Sequence, residues 1–342
     1  MGMTHRADGS LGCQPGVLLE RLRVLDELRL QRMPACYFLE FDPILDSSDM
    51  CPDDWNSIAH TVYDNYYEYD GFVIIHGTDT MAYTASALSF MLEQLAKPVV
   101  LTGSQVPYFE PLSDARQNLL GAIVFAGLAD VCEVCVFFGN RLLRGNRASK
   151  VNADALQAFT SPSFPNLAEL GVEVSLFQQR LLPSPKGRFR LQAISVKEIL
   201  VVWLIPGFAD DIFLNLLQGN LRGLVLCLYG CGNAPAKKKL FLSHLRQLVD
   251  KGVVIVACSQ CAHGNVRLEK YAVGMALQDS GVVGGGDMTV EAVVTKLSYL
   301  LSKDLGARRT REALCTDLRG EISTRQAAFE LGEPTSGIDS RL

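Results

Sequence analysis

Residues Gly71–Thr84 read G-F-V-I-I-H-G-T-D-T-M-A-Y-T. The run G-F-V-I-I-H (71–76) is rich in aromatic and β-branched residues, the composition of a buried strand. It stops at His76-Gly77. A hydroxyl, a carboxylate and a second hydroxyl follow before an apolar stretch with helical character begins at Met81. A strand that hands over to a helix through a short polar turn is the repeating unit of a parallel sheet covered by helices. In such sheets the working residues sit on the loops at the carboxyl ends of the strands, which is where Thr78, Asp79 and Thr80 fall.

The same alternation extends outward from this stretch. The runs 36–41, 98–102 and 134–138 read as buried strands. Between them, D-D-W-N-S-I-A-H-T-V-Y-D-N-Y-Y, M-A-Y-T-A-S-A-L-S-F-M-L and D-A-R-Q-N-L-L-G-A-I-V-F-A read as helices. A Pro-, Ser- and charge-rich passage containing S-P-S-F-P-N and L-P-S-P-K-G-R-F-R interrupts the pattern, as a domain boundary does. Beyond it, I-L-V-V-W-L-I, G-L-V-L-C-L-Y and G-V-V-I-V-A-C predict three more strands. Helices are expected near 209–218, 236–250, 290–302 and 308–316. The fold class expected is α/β, with two α/β domains and mainly parallel sheets. The expected boundaries are 1–160 for the first domain, 161–195 for a linker, 196–326 for the second domain and 327–342 for a polar tail.

Composition narrows the function classes. The chain has 342 residues, of which 48% are apolar and 20% charged, the balance of a globular protein with room for two cores. A net charge of -5 and the absence of a long Lys/Arg run argue against nucleic-acid partners and acidic membrane surfaces. No apolar run approaches the roughly 20 residues of a membrane span, and the first thirty residues lack a signal-peptide core. A cytoplasmic location is therefore expected. The ten cysteines are read as reduced thiols rather than a disulfide framework. Of two C-x-x-C pairs, Cys132/Cys135 falls in a strand, where residues three apart point to opposite faces. Cys258/Cys261, with His263 nearby, leaves zinc only as the minor reading, since structural zinc needs four convergent ligands.

The candidate site residues each have a plain structural explanation. Thr78 or Asp79 can cap the helix near Met81, and Asp46-Ser47-Ser48-Asp49 can form a turn held by its own side chains. Lys150 alone reads as a solvated charge, and His76 as a hydrogen-bonded core histidine rather than a general base. As a set they say more. A hydroxyl nucleophile needs a proton acceptor and an orienting partner, and Thr, Asp and Lys in one pocket would suit acyl chemistry on an amide or ester. No G-x-S-x-G elbow and no phosphate-binding G-x-x-x-x-G-K-[ST] loop competes. Y-G-C-G-N-A-P lacks the third glycine of a dinucleotide loop.

Several blocks in order carry a resemblance that spans nearly the whole chain. They are D-S-S-D-M (46–50), H-G-T-D-T-M-A-Y-T-A-S-A-L-S-F-M-L-E (76–93), T-G-S-Q-V-P (102–107), R-G-N-R-A-S-K (144–150), Y-G-C-G-N-A-P (229–235), G-G-D-M-T-V-E-A (285–292) and L-R-G-E (318–321). The chain resembles the type I (cytosolic, bacterial-style) L-asparaginases, which also form the N-terminal part of some larger animal proteins. The resemblance implies hydrolysis of L-asparagine to L-aspartate and ammonia without metal or cofactor, by a homodimer or homotetramer. It makes Thr78, Asp79 and Lys150 a catalytic triad that supports a threonine nucleophile. It gives Asp79 the substrate's α-ammonium, and Asp46, Ser47 and Ser48 its α-carboxylate. Asn233 matches an asparagine that can approach the partner subunit's site.

The chain departs from the family pattern at its beginning. The family's first motif, T-G-G-T-I-G-M, carries the nucleophile on the first strand, and these residues begin M-G-M. Aligned there, Met1 stands at the isoleucine position and the nucleophile is not among the 342 residues. The expectation is an N-terminally incomplete asparaginase with an exposed sheet edge. The alternative is a catalytically dead asparagine-binding or regulatory subunit. The family's lid tyrosine is also missing, with Ser10 or Leu11 near its place. Cys261 matches a position lining the family's allosteric pocket, but Cys227 replaces the arginine expected there, so cooperativity is not expected.

Overall fold

A computed structural model describes residues 1–235 and 238–323. The chain divides into two compact units, the first reaching Leu191 and the second starting at Gln192.

The first unit is built on a six-stranded sheet. Its order from the inner edge is Phe72–Ile75, Val99–Thr102, Val134–Phe138, Arg141–Arg144, Ala168–Leu170 and Val174–Leu176. The first three run parallel and the last three continue antiparallel. The parallel strands are those whose apolar composition was read from the sequence. Val99–Thr102 and Val134–Phe138 are buried at every position, as strands covered on both faces must be. Helices Pro52–Asp64, Met81–Met91 and Ala115–Leu128 fill the three predicted places. Met81–Met91 and Ala115–Leu128 are apolar nearly all round because each is enclosed by the sheet and its neighbours.

Two expectations for this unit are corrected. Residues 36–41 do not form a strand: Tyr37 and Leu39 are 78% and 66% exposed, and no backbone pairs with theirs among the described residues. A strand exists only by pairing, and the neighbouring sheet edge, Phe72–Ile75, is separated from this segment by a channel of about 1390 Å³ that both line. Nor are residues 161–195 a free linker. They supply the two outer antiparallel strands and the pair Arg190–Leu191 with Leu92–Glu93. Their prolines and serines lie between short strands rather than between domains. The sequence reading also missed the hairpin Met3–His5/Leu11–Cys13 and the helix Val17–Arg23.

The second unit is a four-stranded, wholly parallel sheet in the order Ile199–Trp203, Gly223–Leu228, Val254–Ser259, Val283–Gly284. Phe213 of helix Asp211–Leu216, with Phe241, Leu245 and Leu248 of helix Lys239–Asp250, joins Leu224, Leu226 and Ile255 in one core. Val290–Ser302 packs on the three longer strands, and Ala307–Leu314 on it. Helix Ala272–Asp279 was not anticipated. The expected polar tail, 327–342, lies outside the described residues, as do 236–237 at the start of the helix expected over 236–250.

Candidate active site

The turn His76–Thr80 leaves the carboxyl end of strand Phe72–Ile75 and enters the helix at Met81. Neither Thr78 nor Asp79 caps that helix. Thr80 holds the N-cap position without a side-chain cap bond, and its hydroxyl instead donates to the Ser47 carbonyl at 2.6 Å. The side chains of Thr78 and Asp79 are therefore left for other partners. The N–H groups of Gly77, Thr78 and Asp79 have no acceptor among the described residues. A turn with three such donors can stabilise negative charge on a bound group.

Lys150 follows the strand Arg141–Arg144, three places along the sheet from Phe72–Ile75. After the hairpin Val134–Phe138/Arg141–Arg144, the buried turn Gly145–Arg147 packs on helix Met81–Met91 and aims the chain back. Ser149–Lys150 then pairs with Phe159–Thr160, which fixes the direction of Lys150. Its Nζ donates to Thr78 Oγ1 at 2.9 Å and to Asp79 Oδ1 at 2.8 Å. The lysine side chain is 21% exposed and the aspartate 65%, so water screens the pair from one side. With Lys150 donating, the Thr78 hydroxyl proton is free to point at a ligand.

The loop 42–50 forms the opposite wall. Asp46 Oδ1 accepts from the Ser48 N–H at 3.0 Å and the Ser48 hydroxyl at 2.9 Å. These two bonds, with the Arg6 guanidinium, hold the Asp46 carboxyl below its usual range. The Asp-Ser-Ser run is thus a self-bonded turn, and that turn presents Ser47. Ser47 is buried, with its hydroxyl against the Cα of Gly77; a side-chain carbon at Gly77 would collide with Ser47 Oγ and approach its Cβ to 2.7 Å. Gly103, after strand Val99–Thr102, meets the same turn from the other side. A Cβ there would strike the His76 carbonyl oxygen and come within 2.7 Å of Met81 Cε. Glycine at both positions lets three loops close on one another.

The structure thus brings Thr78, Asp79 and Lys150 into hydrogen-bonding contact and sets Ser47 directly against their turn, with Asp46 and Ser48 beside it. Asn233 lies in the second unit, at the carboxyl end of strand Gly223–Leu228. A tight turn with reciprocal Tyr229–Asn233 backbone bonds holds it there. Sequence reasoning passed over Ser104: it is buried and its hydroxyl has no partner among the described residues. It sits in T-G-S-Q-V-P (102–107), whose resemblance to the family carries no residue role. Asp114 and Asn118 hold that loop through Gln105 N, Val106 N and the Gly103 carbonyl. Among the described residues, no group of three or more His, Cys, Asp or Glu is placed to hold a metal ion. No helix among them is long and apolar enough to cross a membrane. Cys132 lies ahead of its expected strand, its thiol near the Ala96 carbonyl and the Ser184 hydroxyl.

Comparison with known proteins agrees with this architecture. Residues 3–182 match the family model "Asparaginase, N-terminal", and residues 198–314 match "Glutaminase/Asparaginase C-terminal domain". L-asparaginase 1 of Escherichia coli (strain K12) is 46% identical over 323 residues, 94% of this chain and 95% of that protein. The 60 kDa lysophospholipase of Mus musculus is 46% identical over 288 residues, 83% of this chain but 50% of that protein. The crystal structure of L-asparaginase I from Vibrio cholerae superimposes with a TM-score of 0.87 at 41% identity, covering 94% of this chain and 96% of that one. With both family models matched in order and a relative of this identity covered almost end to end, the chain belongs to the asparaginase family of amidohydrolases.

Proposed function

We propose that the chain acts on L-asparagine, cleaving its side-chain amide with water to give L-aspartate and ammonia. The observation that carries this reading is the lysine bridge between Thr78 and Asp79, set beside the serine of the 46–48 turn. A small zwitterion offers an ammonium group to Asp79 and a carboxylate to Ser47 and the 46–48 backbone. Held at both charges, its amide lies along the Thr78 turn. The three N–H groups of that turn then meet oxygen as the carbonyl becomes tetrahedral. Lys150 orients the Thr78 hydroxyl, and Asp79 holds Lys150.

The resemblance assigns covalent attack to the threonine of T-G-G-T-I-G-M, which is not among these 342 residues; Thr78, Asp79 and Lys150 are then the supporting triad. The test is ammonia release from L-asparagine by Met1–Leu342 beside a form extended by the family's first strand and T-G-G-T-I. Release by the extended form alone supports this assignment, and equal release by both moves the attack to Thr78. Binding of L-asparagine without release by either form favours a catalytically dead binding or regulatory subunit. If neither form binds or hydrolyses L-asparagine, the proposal is overturned.

We take the working form to be a homodimer or homotetramer, which sedimentation of the purified chain measures directly; Asn233 would there belong to a partner's site. A cytoplasmic location is supported by the ten cysteines, all of them free.

A further inference from the structure

His76 is the first residue after the strand Phe72–Ile75, two before Thr78, and the roles proposed above leave it unused. Its ring is buried, 6% exposed. Nδ1 lies 2.6 Å from the Gly77 carbonyl oxygen and Nε2 lies 2.9 Å from Thr84 Oγ1. A carbonyl oxygen only accepts, so the proton is on Nδ1. Burial disfavours the imidazolium, so Nε2 carries no proton and accepts from the Thr84 hydroxyl. Thr84 is fully buried one turn into the helix, and its Oγ1 also lies 3.8 Å from Met50 Sδ, at the end of the 46–50 loop.

We infer that His76 is a positioning residue of the asparaginase-type site: its neutral imidazole locks the Gly77–Thr78 peptide plane and so aims Thr78. Three observations combine. Gly77 must lack a side chain because Ser47 occupies that space, and glycine leaves the backbone free to rotate at the residue that sets the direction of Thr78. The Gly77 carbonyl and the Thr78 N–H belong to one rigid plane, so a bond on the oxygen fixes the N–H at its other edge. That N–H has no acceptor among the described residues, so His76 holds one edge of the plane while the other remains open to a ligand. The second ring nitrogen ties the same plane through Thr84 to the helix. The Thr84 proton is used in that bond, so Met50 Sδ at 3.8 Å is a packing neighbour from the end of the 46–50 loop.

The inference rests on the proposed reading of the site, and its test separates the two. In His76→Asn, the amide nitrogen stands near the place of Nδ1 and keeps the donor to Gly77. His76→Gln reaches toward Thr84 and gives up that short link. In whichever form of the chain turns over asparagine, H76N should retain kcat within about threefold. H76Q should lose roughly 10- to 100-fold in kcat with little change in KM, the size expected when a reacting group is misplaced by about an ångström. Equal losses in the two variants would mean that the ring only fills space, and the inference would be overturned. A readout independent of turnover is the NMR order parameter of the Thr78 amide. It should stay near the rigid value of about 0.85 in the parent chain and in H76N and fall in H76Q. If it is unchanged in H76Q, the inference is wrong whatever the activity. If no form binds or turns over asparagine but the order parameters follow this pattern, the functional proposal fails and the positioning role stands.

Discussion

The Nζ of Lys150 lies 2.9 Å from Oγ1 of Thr78, across 72 residues of chain. The contact joins the loop after one parallel strand to the segment that follows a hairpin whose last strand, Arg141–Arg144, stands three places along the sheet. Thr78 does not cap its helix, and Lys150, on a two-residue strand paired to Phe159–Thr160, also holds Asp79. The pair is the mechanical centre of the proposed site.

If the two side chains act as a unit, their removals will not add. In the form of the chain that turns over asparagine, Thr78→Val and Lys150→Met should each lower kcat by roughly 10²- to 10⁴-fold. The double variant should be about as slow as the slower single one, as in coupled catalytic groups. Steady-state ammonia release measures this; K150M within threefold of the parent would remove lysine from the reaction.

Acid should weaken the first unit in two windows with different causes. The His76 imidazole has its pKa lowered from its ordinary value of 6.5, by burial first, against the Gly77 bond and with the nearby Met1 amine. The folded state then binds protons less readily than the unfolded chain. This contribution is complete above 6.5 and is lost as pH falls below it. Asp46, lowered by its Ser48 bonds, contributes above its ordinary 3.8 and loses that contribution at lower pH. Urea midpoints measured down the pH scale should fall first below about 6.5, and that first fall should shrink in H76N.

The second unit contains a fully buried ion pair. Lys296 and Glu321 have side chains with no exposure and approach to 2.5 Å; Lys296 also donates to the Leu314 and Thr316 carbonyls. Glu321 accepts from the N–H groups of Leu318 and Arg319. Burial pushes its carboxyl up, but the Lys296 charge and these bonds bring it below the ordinary value. Lys296→Met strands the carboxylate and should cost about 3–5 kcal/mol in denaturant unfolding. The double variant K296M/E321L should recover part of that loss. If K296M is neutral, the pair is not what secures the 314–321 segment.

Thiol chemistry should discriminate among the ten cysteines. Burial pushes Cys135 and Cys258 well above the ordinary thiol range and Cys227 up to about 11. Cys261 is exposed on the loop after Val254–Ser259. Brief alkylation of the native chain near pH 8, read by peptide mass spectrometry, should label Cys261 first and leave Cys135, Cys227 and Cys258 unmodified until the chain unfolds.

What could be read from the sequence was what a few neighbouring residues decide among themselves. The apolar run before His76 and the apolar stretch after Met81 dictated a strand and a helix. That placed Thr78 and Asp79 at a carboxyl-end turn, because periodicity and turn chemistry act over only a few residues. The Asp46–Ser48 turn is local in the same sense. The strand expected over 36–41 failed for the opposite reason: its composition is right, but a strand also needs a partner, and no backbone pairs with it among the described residues. Only the tertiary structure decided that Lys150 reaches Thr78, that Ser47 fills the space a side chain at Gly77 would need, and that His76 turns one nitrogen to Gly77 and the other to Thr84. The Lys150 and Ser47 contacts depend on how the sheet brings distant loops to one end. The His76 pair depends on how the strand and the helix that follows it are packed. No short stretch of sequence carries that geometry.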